Sequence, residues 1–318
     1  MLTSAEYADI VNRALTHIDL PDYLPGLYEP IRYTLASGGK RLRPVLLLAA
    51  GEAFGGELSD CLWPAVGVEI FHNFTLVHDD VMDNADMRRG KPTVKAKWDV
   101  NTAILSGDAM VSMAFKAAAG CPPMFLPEVI DRFSMMTMTV YHGQQIDADF
   151  ETADAVTFGQ YLQMIMGKTS ALIAYPCALG ALIAGASPQD VEAMFNFGNN
   201  LGIAFQMQDD HLDVYGDPAT FGKNIGGDIL NNKKTWLRIM AHDRCPAELA
   251  KAEAIADPAE KIAAVTAIFD SLGLRDEGER IIGRYTADAI SCLDDATLTP
   301  AAKAWFIDFA NTLLHREK

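Results

Sequence analysis

Residues 76–92 read LVHDDVMDNADMRRGKP, setting Asp79, Asp80, Asp83 and Asp86 close together and following them at once with Arg88, Arg89 and Lys91. Carboxylates this crowded repel one another, and a protein gains nothing by the crowding unless a cation sits among them. On a helix, Asp79 and Asp83 stand one turn apart on one face, with Asp80 about 100° round. Oxygen-only donors of this kind suit Mg²⁺, which takes one or two carboxylates and completes its shell from water and phosphate. Taken alone, the stretch reads equally well as a solvated acidic helix face.

The pattern returns later in the chain. HDDVMDNAD is echoed by QDDHLDVYGD, which gives Asp209, Asp210 and Asp213 the internal spacing of Asp79, Asp80 and Asp83. Each copy is followed by glycine and cations, RRGKP after the first and FGKNIGGDILNNKK after the second. Surface decoration does not explain two clusters with the same spacing and the same sequel. Two carboxylate clusters that share metals around a phosphate explain both signs of charge, with the metals bridging aspartate to phosphate oxygen and the cations binding the rest.

Composition narrows the options. The 318 residues carry 26 Lys+Arg against 42 Asp+Glu, a formal charge of −16, which argues against a nucleic-acid partner and its basic footprint. The few clustered cations therefore become informative, since an anionic substrate must be held against an adverse overall field. Five scattered cysteines without a CxxC pair read as free thiols in a reducing cytoplasm. The N-terminus has acidic residues and no apolar core of a signal peptide. The longest apolar run, ALIAYPCALGALIAGA at 171–186, is broken by Pro176 and two glycines and reads as a buried core helix, leaving no integral membrane segment.

Punctuation falls at SGGKRLRP, AFGGE, GCPPMFLP, GASPQD, YGDPATFGKNIGG, DRCPAE and LTP. Between these lie long stretches with apolar residues three and four apart, a helix pattern with no βαβ alternation. No composition shift marks a boundary. The expectation is one all-α domain over residues 1–318, of roughly ten helices. Met135, Met136 and Met138 read as core filling.

The two DDxxD motifs resemble the first and second aspartate-rich motifs of the trans-isoprenyl diphosphate synthases of the polyprenyl synthetase family, the farnesyl and geranylgeranyl diphosphate synthase type. GGKRLRP at 38–44 is similar to an early GGKxxRP element, HGQQIDADFE to a helix with a GQxxD signature, and MGKTS at 166–170 to a lysine–threonine pair. GKNIGGDILNNKKTW resembles the phosphate-binding segment after the second motif, so the likeness runs over about residues 38 to 236. It implies a helical bundle around a deep central cavity, usually a homodimer. It also implies isopentenyl diphosphate and an allylic diphosphate as substrates and Mg²⁺ as cofactor, as three ions, with Mn²⁺ as a substitute.

Roles follow from the same resemblance. Asp79, Asp83 and Asp209 are the implied principal Mg²⁺ ligands, with Asp80, Asp210 and Asp213 in support. Arg88, Lys168, Lys223 and Lys233 resemble the cations that hold the allylic diphosphate, although Lys234 stands beside Lys233. Lys40, Arg43, His72 and Arg89 resemble the isopentenyl diphosphate site. Backbone carbonyls around Lys168 and Thr169, with the Gln206 amide, resemble the stabilisers of the allylic cation. Helix geometry places Phe74 and Thr75 about 6 to 8 Å from Asp79 along the axis, where a growing tail would extend. An aromatic five residues before the first aspartate resembles short-chain members and leaves fifteen- and twenty-carbon products both open.

Two rivals share the fold. A class I terpene cyclase ionises one diphosphate and needs no isopentenyl site, and its second metal motif differs from a second DDxxD. A non-catalytic subunit of a heteromeric synthase usually loses aspartates, and this chain keeps both sets.

Overall fold

The structure is a computed structural model and describes residues 1–217 and 225–314. The chain forms α1 (Ser4–Thr16), α2 (Pro25–Leu35), α3 (Leu42–Ala53) and α4 (Leu58–Met82), then a hairpin of β1 (Met87–Arg88) and β2 (Lys91–Pro92). It continues with α5 (Val94–Lys97), α6 (Val100–Ala118), α7 (Leu126–Thr152), α8 (Phe158–Ile165), α9 (Ala171–Ile183) and α10 (Pro188–Tyr215). The remaining elements are α11 (Gly227–Leu230), α12 (Trp236–Arg244), α13 (Pro246–Glu253), α14 (Pro258–Ser271), α15 (Leu274–Cys292) and α16 (Pro300–Leu314). The all-α expectation holds among the described residues except for the hairpin. Its two-residue turn, Arg89–Gly90, has φ of 51° and 73°, the doubly left-handed turn that matches strand twist.

Two compact units divide these elements. The first comprises Met1–Thr137, Tyr175–Phe195 and Ala296–Ala302; the second comprises Met138–Ala174, Asn196–Asp295 and the chain from Lys303 onward. In the first unit α4 packs along α6 and α3, and α1 and α2 close over α3 and α6. The α4–α6 approach is close enough that a Cβ on Gly67 would stand 2.7 Å from the Ala114 carbonyl oxygen, so only glycine fits there. Leu46, Leu47 and Leu48 of α3 and Val66, Val68 and Phe71 of α4 are buried with no exposed surface, so both helices are covered on several sides.

The second unit has its own core, in which Tyr161, Met164 and Ile165 of α8 pack with Met207, Trp236, Leu237 and Phe269. Thr157 starts α8 with a reciprocal capping box to Gln160, which fixes where the helix begins. Between α8 and α9 the backbone opens into a five-residue π-helical turn, Met166–Ser170, a wide turn frequently found at functional sites. It makes α8 and α9 one continuous helical run, Phe158–Ile183, which begins before the apolar run at 171–186 and is long and apolar enough to cross a bilayer. Its most apolar window is 83% buried within the protein, which is how a core helix behaves.

Of the three methionines expected in the core, only Met136 is there. Met135 and Met138 are 51% and 48% exposed, because residues three apart share a helix face, while Met136 is turned about 100° from Met135 and about 200° from Met138.

Candidate active site

The first unit carries the first aspartate motif at the end of α4. Asp79 is half-buried in the last helical turn, and Asp83 caps the helix, its N–H donating to the Asp79 carbonyl at 2.8 Å, so the two stay one turn apart. Asp80 turns inward. It is 4% exposed and accepts from Arg88 Nε at 2.8 Å, and burial pushes its carboxyl up against the pull of Arg88. Asp86 pairs with Lys95 at 3.3 Å, and Lys95 also donates to Asn84 Oδ1, which ties the acidic loop to α5. The turn residue Arg89 reaches back from the hairpin to donate to the Gly38 carbonyl.

A cationic cluster adjoins this loop. Arg43 Nη1 lies 3.2 Å from His72 Nε2. A guanidinium only donates, so Nε2 is the acceptor and the His72 proton sits on Nδ1. Arg43 Nε and His72 Nδ1 are both buried without a hydrogen-bond partner. Burial pulls the Arg43 guanidinium down to about 10, and burial together with Arg43 and Arg89 holds His72 well below the usual histidine range. Two orphaned N–H donors beside arginines are the chemistry of an anion site. Lys40 is exposed on the preceding loop. Thr75 is half-buried with its hydroxyl returned to the His72 carbonyl, and Phe74 is 6% exposed, its ring 5.3 Å from Phe71 and 4.6 Å from His78.

Arg41 was not foreseen from sequence. It adopts a left-handed φ of 50° at the start of α3, and its buried side chain pairs with Glu69 at 2.6 Å while donating to Asn12 and the Leu35 carbonyl. Glu69 lies one turn before His72 on α4. The clasp therefore fixes the GGKRLRP loop against the helix that bears His72. Losing one partner would leave a buried charge, at a cost of about 3–5 kcal/mol.

The second unit carries the second motif inside α10. Asp209 and Asp213 are half-buried, and Asp213 Oδ2 accepts from the Asp228 N–H at 2.9 Å. Asp210 is 2% exposed and accepts from Tyr161 Oη at 2.7 Å and Gln206 Nε2 at 2.8 Å. Burial pushes its carboxyl up to about 7 against the pull of Lys233. Burial alone would lower the Lys233 ammonium, but Asp210 and Asp228 outweigh it and hold the group above its ordinary value. Lys234 interacts instead with Arg238 and Glu253, so of the two adjacent lysines it is Lys233 that faces the aspartates. Lys223 lies outside the described residues.

Lys168 and Thr169 project from the π-turn into a cavity that Tyr161, Gln206, Asp210 and Lys233 also line. The Thr169 hydroxyl donates to Gln206 Oε1 at 2.8 Å. Lys168 donates to Asp147 of the GQxxD signature at 2.6 Å. Neither Asp147 nor Asp228 was singled out from sequence, although both stand within quoted motifs.

The donors fit Mg²⁺. In each unit the outer aspartates, Asp79 and Asp83 on α4 and Asp209 and Asp213 on α10, offer only hard carboxylate oxygens, and among the described residues no three His, Cys, Asp or Glu side chains converge into a protein-only cage. Each motif by itself suits an ion that takes its remaining ligands from water and phosphate.

Residues 25–272 match the family described as polyprenyl synthetase. The chain belongs to the polyprenyl synthetase family. It is 41% identical over 245 residues to the geranylgeranyl diphosphate synthase of Methanosarcina mazei, covering 74% of this chain and 75% of that protein. It is 36% identical over 308 residues to the geranylgeranyl diphosphate synthase of Mycobacterium tuberculosis, covering 93% and 88%. A crystal structure of a geranylgeranyl pyrophosphate synthase superposes with a TM-score of 0.95 at 40% identity over 100% of both chains. That from Corynebacterium glutamicum, complexed with isoprenyl diphosphate and magnesium, gives 0.89 at 30% identity over 99% and 100%. As a polyprenyl synthetase the chain has the all-α isoprenoid synthase fold and is a trans-prenyltransferase.

Proposed function

We propose that this polyprenyl synthetase condenses isopentenyl diphosphate with dimethylallyl, geranyl or farnesyl diphosphate, giving farnesyl or geranylgeranyl diphosphate and pyrophosphate. The names of the relatives in Methanosarcina mazei and Mycobacterium tuberculosis favour the twenty-carbon product. The observation that carries the reading is the pair of buried, unpartnered donors on Arg43 and His72. Together with Lys40 and Arg89 they make an anion site without a carboxylate ligand set, suited to a diphosphate that comes without metal. A terpene cyclase has no use for it.

Asp79, Asp83 and Asp209, with Asp213 in support, would hold the metal of the allylic substrate. Bound Mg²⁺, as three ions with Mn²⁺ as a substitute, supplies charge neutralisation on the departing diphosphate. Arg88, Lys168, Lys223 and Lys233 bind the same group through charge-assisted hydrogen bonds. In doing so Arg88 and Lys168 exchange the carboxylates of Asp80 and Asp147 for phosphate oxygens. Thr169 and Gln206 hold the reacting carbon among oxygen atoms while the isopentenyl double bond attacks. The proton then lost is assigned to the departing pyrophosphate, since His72 Nε2 is already committed to Arg43.

Residues 1–318 act as one catalytic domain, as a homodimer in the cytoplasm. The family match crosses both compact units, and the exposed Ile104 and Leu105 on α6 give an apolar face for a second copy. The test is incubation of purified protein with Mg²⁺, isopentenyl diphosphate and each allylic primer, with chain lengths read by mass spectrometry. Cyclic hydrocarbon from the allylic substrate alone, or no new carbon–carbon bond with any primer, sinks the proposal.

A further inference from the structure

Tyr161 has no part in the roles assigned so far, yet its hydroxyl reaches the second aspartate motif although the residue is 1% exposed. From there an unbroken chain runs to the reacting cavity. Tyr161 donates to Asp210 Oδ2 at 2.7 Å, Gln206 Nε2 donates to Asp210 Oδ1 at 2.8 Å, and the Thr169 hydroxyl donates to Gln206 Oε1 at 2.8 Å. All four side chains line one cavity.

The direction of these bonds decides what Thr169 offers. A hydroxyl has one hydrogen and two lone pairs. With its hydrogen given to Gln206, Thr169 Oγ1 can turn only lone pairs toward a bound substrate, and an oxygen aimed at a developing carbocation stabilises it. Were the Gln206 amide reversed, its NH₂ would donate to Thr169 and free the hydroxyl hydrogen to point at the cation. The amide does not reverse while Asp210 accepts from its nitrogen, and Asp210 is held in turn by the hydroxyl of a buried tyrosine.

We propose that Tyr161 and Asp210 are positioning residues that set the direction of hydrogen bonding through Gln206, so that Thr169 presents oxygen lone pairs to the allylic carbon. The inference rests on the prenyl-transfer reading, in which Thr169 and Gln206 face that carbon. It also gives the inner aspartate of the second motif a task separate from the outer ones, since Asp210 orients a side chain.

Substitution separates direction from mere presence. In Asp210→Asn, Tyr161 still donates to the remaining oxygen, so the new amide nitrogen faces Gln206 and reverses it. Adding Tyr161→Phe removes that donor and lets the introduced amide turn its oxygen back to Gln206. Single-turnover condensation, measured so that product release does not mask chemistry, is expected to fall roughly 100-fold in Asp210→Asn. It is expected to recover at least roughly 10-fold in the double variant, while half-saturation by Mg²⁺ and both Michaelis constants stay within about threefold of wild type. On a Thr169→Val background, Asp210→Asn is expected to cost nothing further, because the chain then ends before the substrate. Circular dichroism confirms the helix content of each variant, and the Thr169→Val pair answers the question if the double variant fails to fold. A double variant no faster than Asp210→Asn overturns the proposal, as does an Asp210→Asn enzyme whose Mg²⁺ requirement rises as that of Asp209→Asn does. If wild-type protein forms no prenyl chain the functional reading falls as well, whereas those two results against an active wild type overturn the positioning role alone.

Discussion

Lys168 Nζ donates to Asp147 Oδ2 at 2.6 Å because two glycines bring their backbones into contact. A Cβ on Gly143 would stand 2.1 Å from the Lys168 nitrogen, and one on Gly167 would stand 2.7 Å from the Gly143 Cα. The obstacle in each case is main chain, which cannot swing aside. Gly143→Ala is therefore expected to destabilise the protein by about 3 kcal/mol or more, at the upper end of overpacking costs, and to displace Lys168 from its diphosphate. Denaturant unfolding checks the first effect and the Michaelis constant for the allylic substrate the second. A variant as stable as wild type with an unchanged constant would show that the contact does not position Lys168.

Asp79→Asn and Asp209→Asn are each expected to lower turnover by roughly two orders of magnitude or more while circular dichroism stays unchanged, since neither side chain belongs to a core. Asp80→Asn is expected to act differently. It leaves Arg88 with a weaker acceptor inside the protein, so it should cost stability, read as a lower denaturant midpoint, before it changes the Mg²⁺ requirement. An Asp209→Asn enzyme with full turnover would make the second motif decoration.

Arg43→Gln should act on isopentenyl diphosphate rather than the allylic primer. One charge-assisted contact to a diphosphate accounts for roughly 1.5–3 kcal/mol of binding. Steady-state kinetics with each substrate varied in turn checks the split, and equal rises in both Michaelis constants would refute two separate diphosphate sites. Lys40→Ala, at an exposed position, is expected to show the same selectivity without loss of stability.

The unliganded protein is expected to lose stability on mild acidification partly through His72. Its folded pKa lies well below the unfolded value of about 6.5, so the unfolded chain takes up the proton first. Stability is fully present above about pH 6.5 and falls as pH drops below it, toward the folded pKa. His211, pushed down to about 4 by burial, contributes in the same direction, so the comparison with His72→Asn isolates the His72 share. Urea midpoints at about pH 7.5 and about pH 5.5 check it; an undiminished fall in the variant would place the titration elsewhere.

Much of the site was legible because its chemistry is local. Asp79 and Asp83 fall one helical turn apart by spacing alone, and the second motif repeats that spacing. What sequence could not show depends on contacts between distant segments. The inward turn of Asp80 and Asp210 follows from what packs beside α4 and α10. Arg41 looks like one more cation in a basic loop until its left-handed backbone and its pairing with Glu69, far along the chain, turn it into the core. Tyr161 reads as an ordinary apolar position of α8, since nothing in its neighbourhood announces Asp210. The hairpin escaped notice because its strands are two residues each, shorter than any periodicity.

The length of the product is expected to depend on Phe74. Its ring projects from α4 a little over one turn before Asp79 and is held edge-on by His78 at 4.6 Å and against Phe71 at 5.3 Å. His78 is itself confined, for a Cβ on Gly107 would fall 2.2 Å from its Nε2. The ring therefore has little freedom to step aside for a growing tail. Phe74→Ala removes it and opens room for roughly one more isoprene unit, at a stability cost of about 3–5 kcal/mol because the side chain is buried. The metal ligands and both diphosphate sites keep their side chains, so turnover should persist at temperatures where the variant is folded. The check is the product distribution of Phe74→Ala beside wild type at identical substrate ratios. Longer chains from a folded variant support Phe74 as the stop. An unchanged distribution would assign it to another helix, and His78→Ala then distinguishes a ring that never blocked the tail from one replaced by its neighbour.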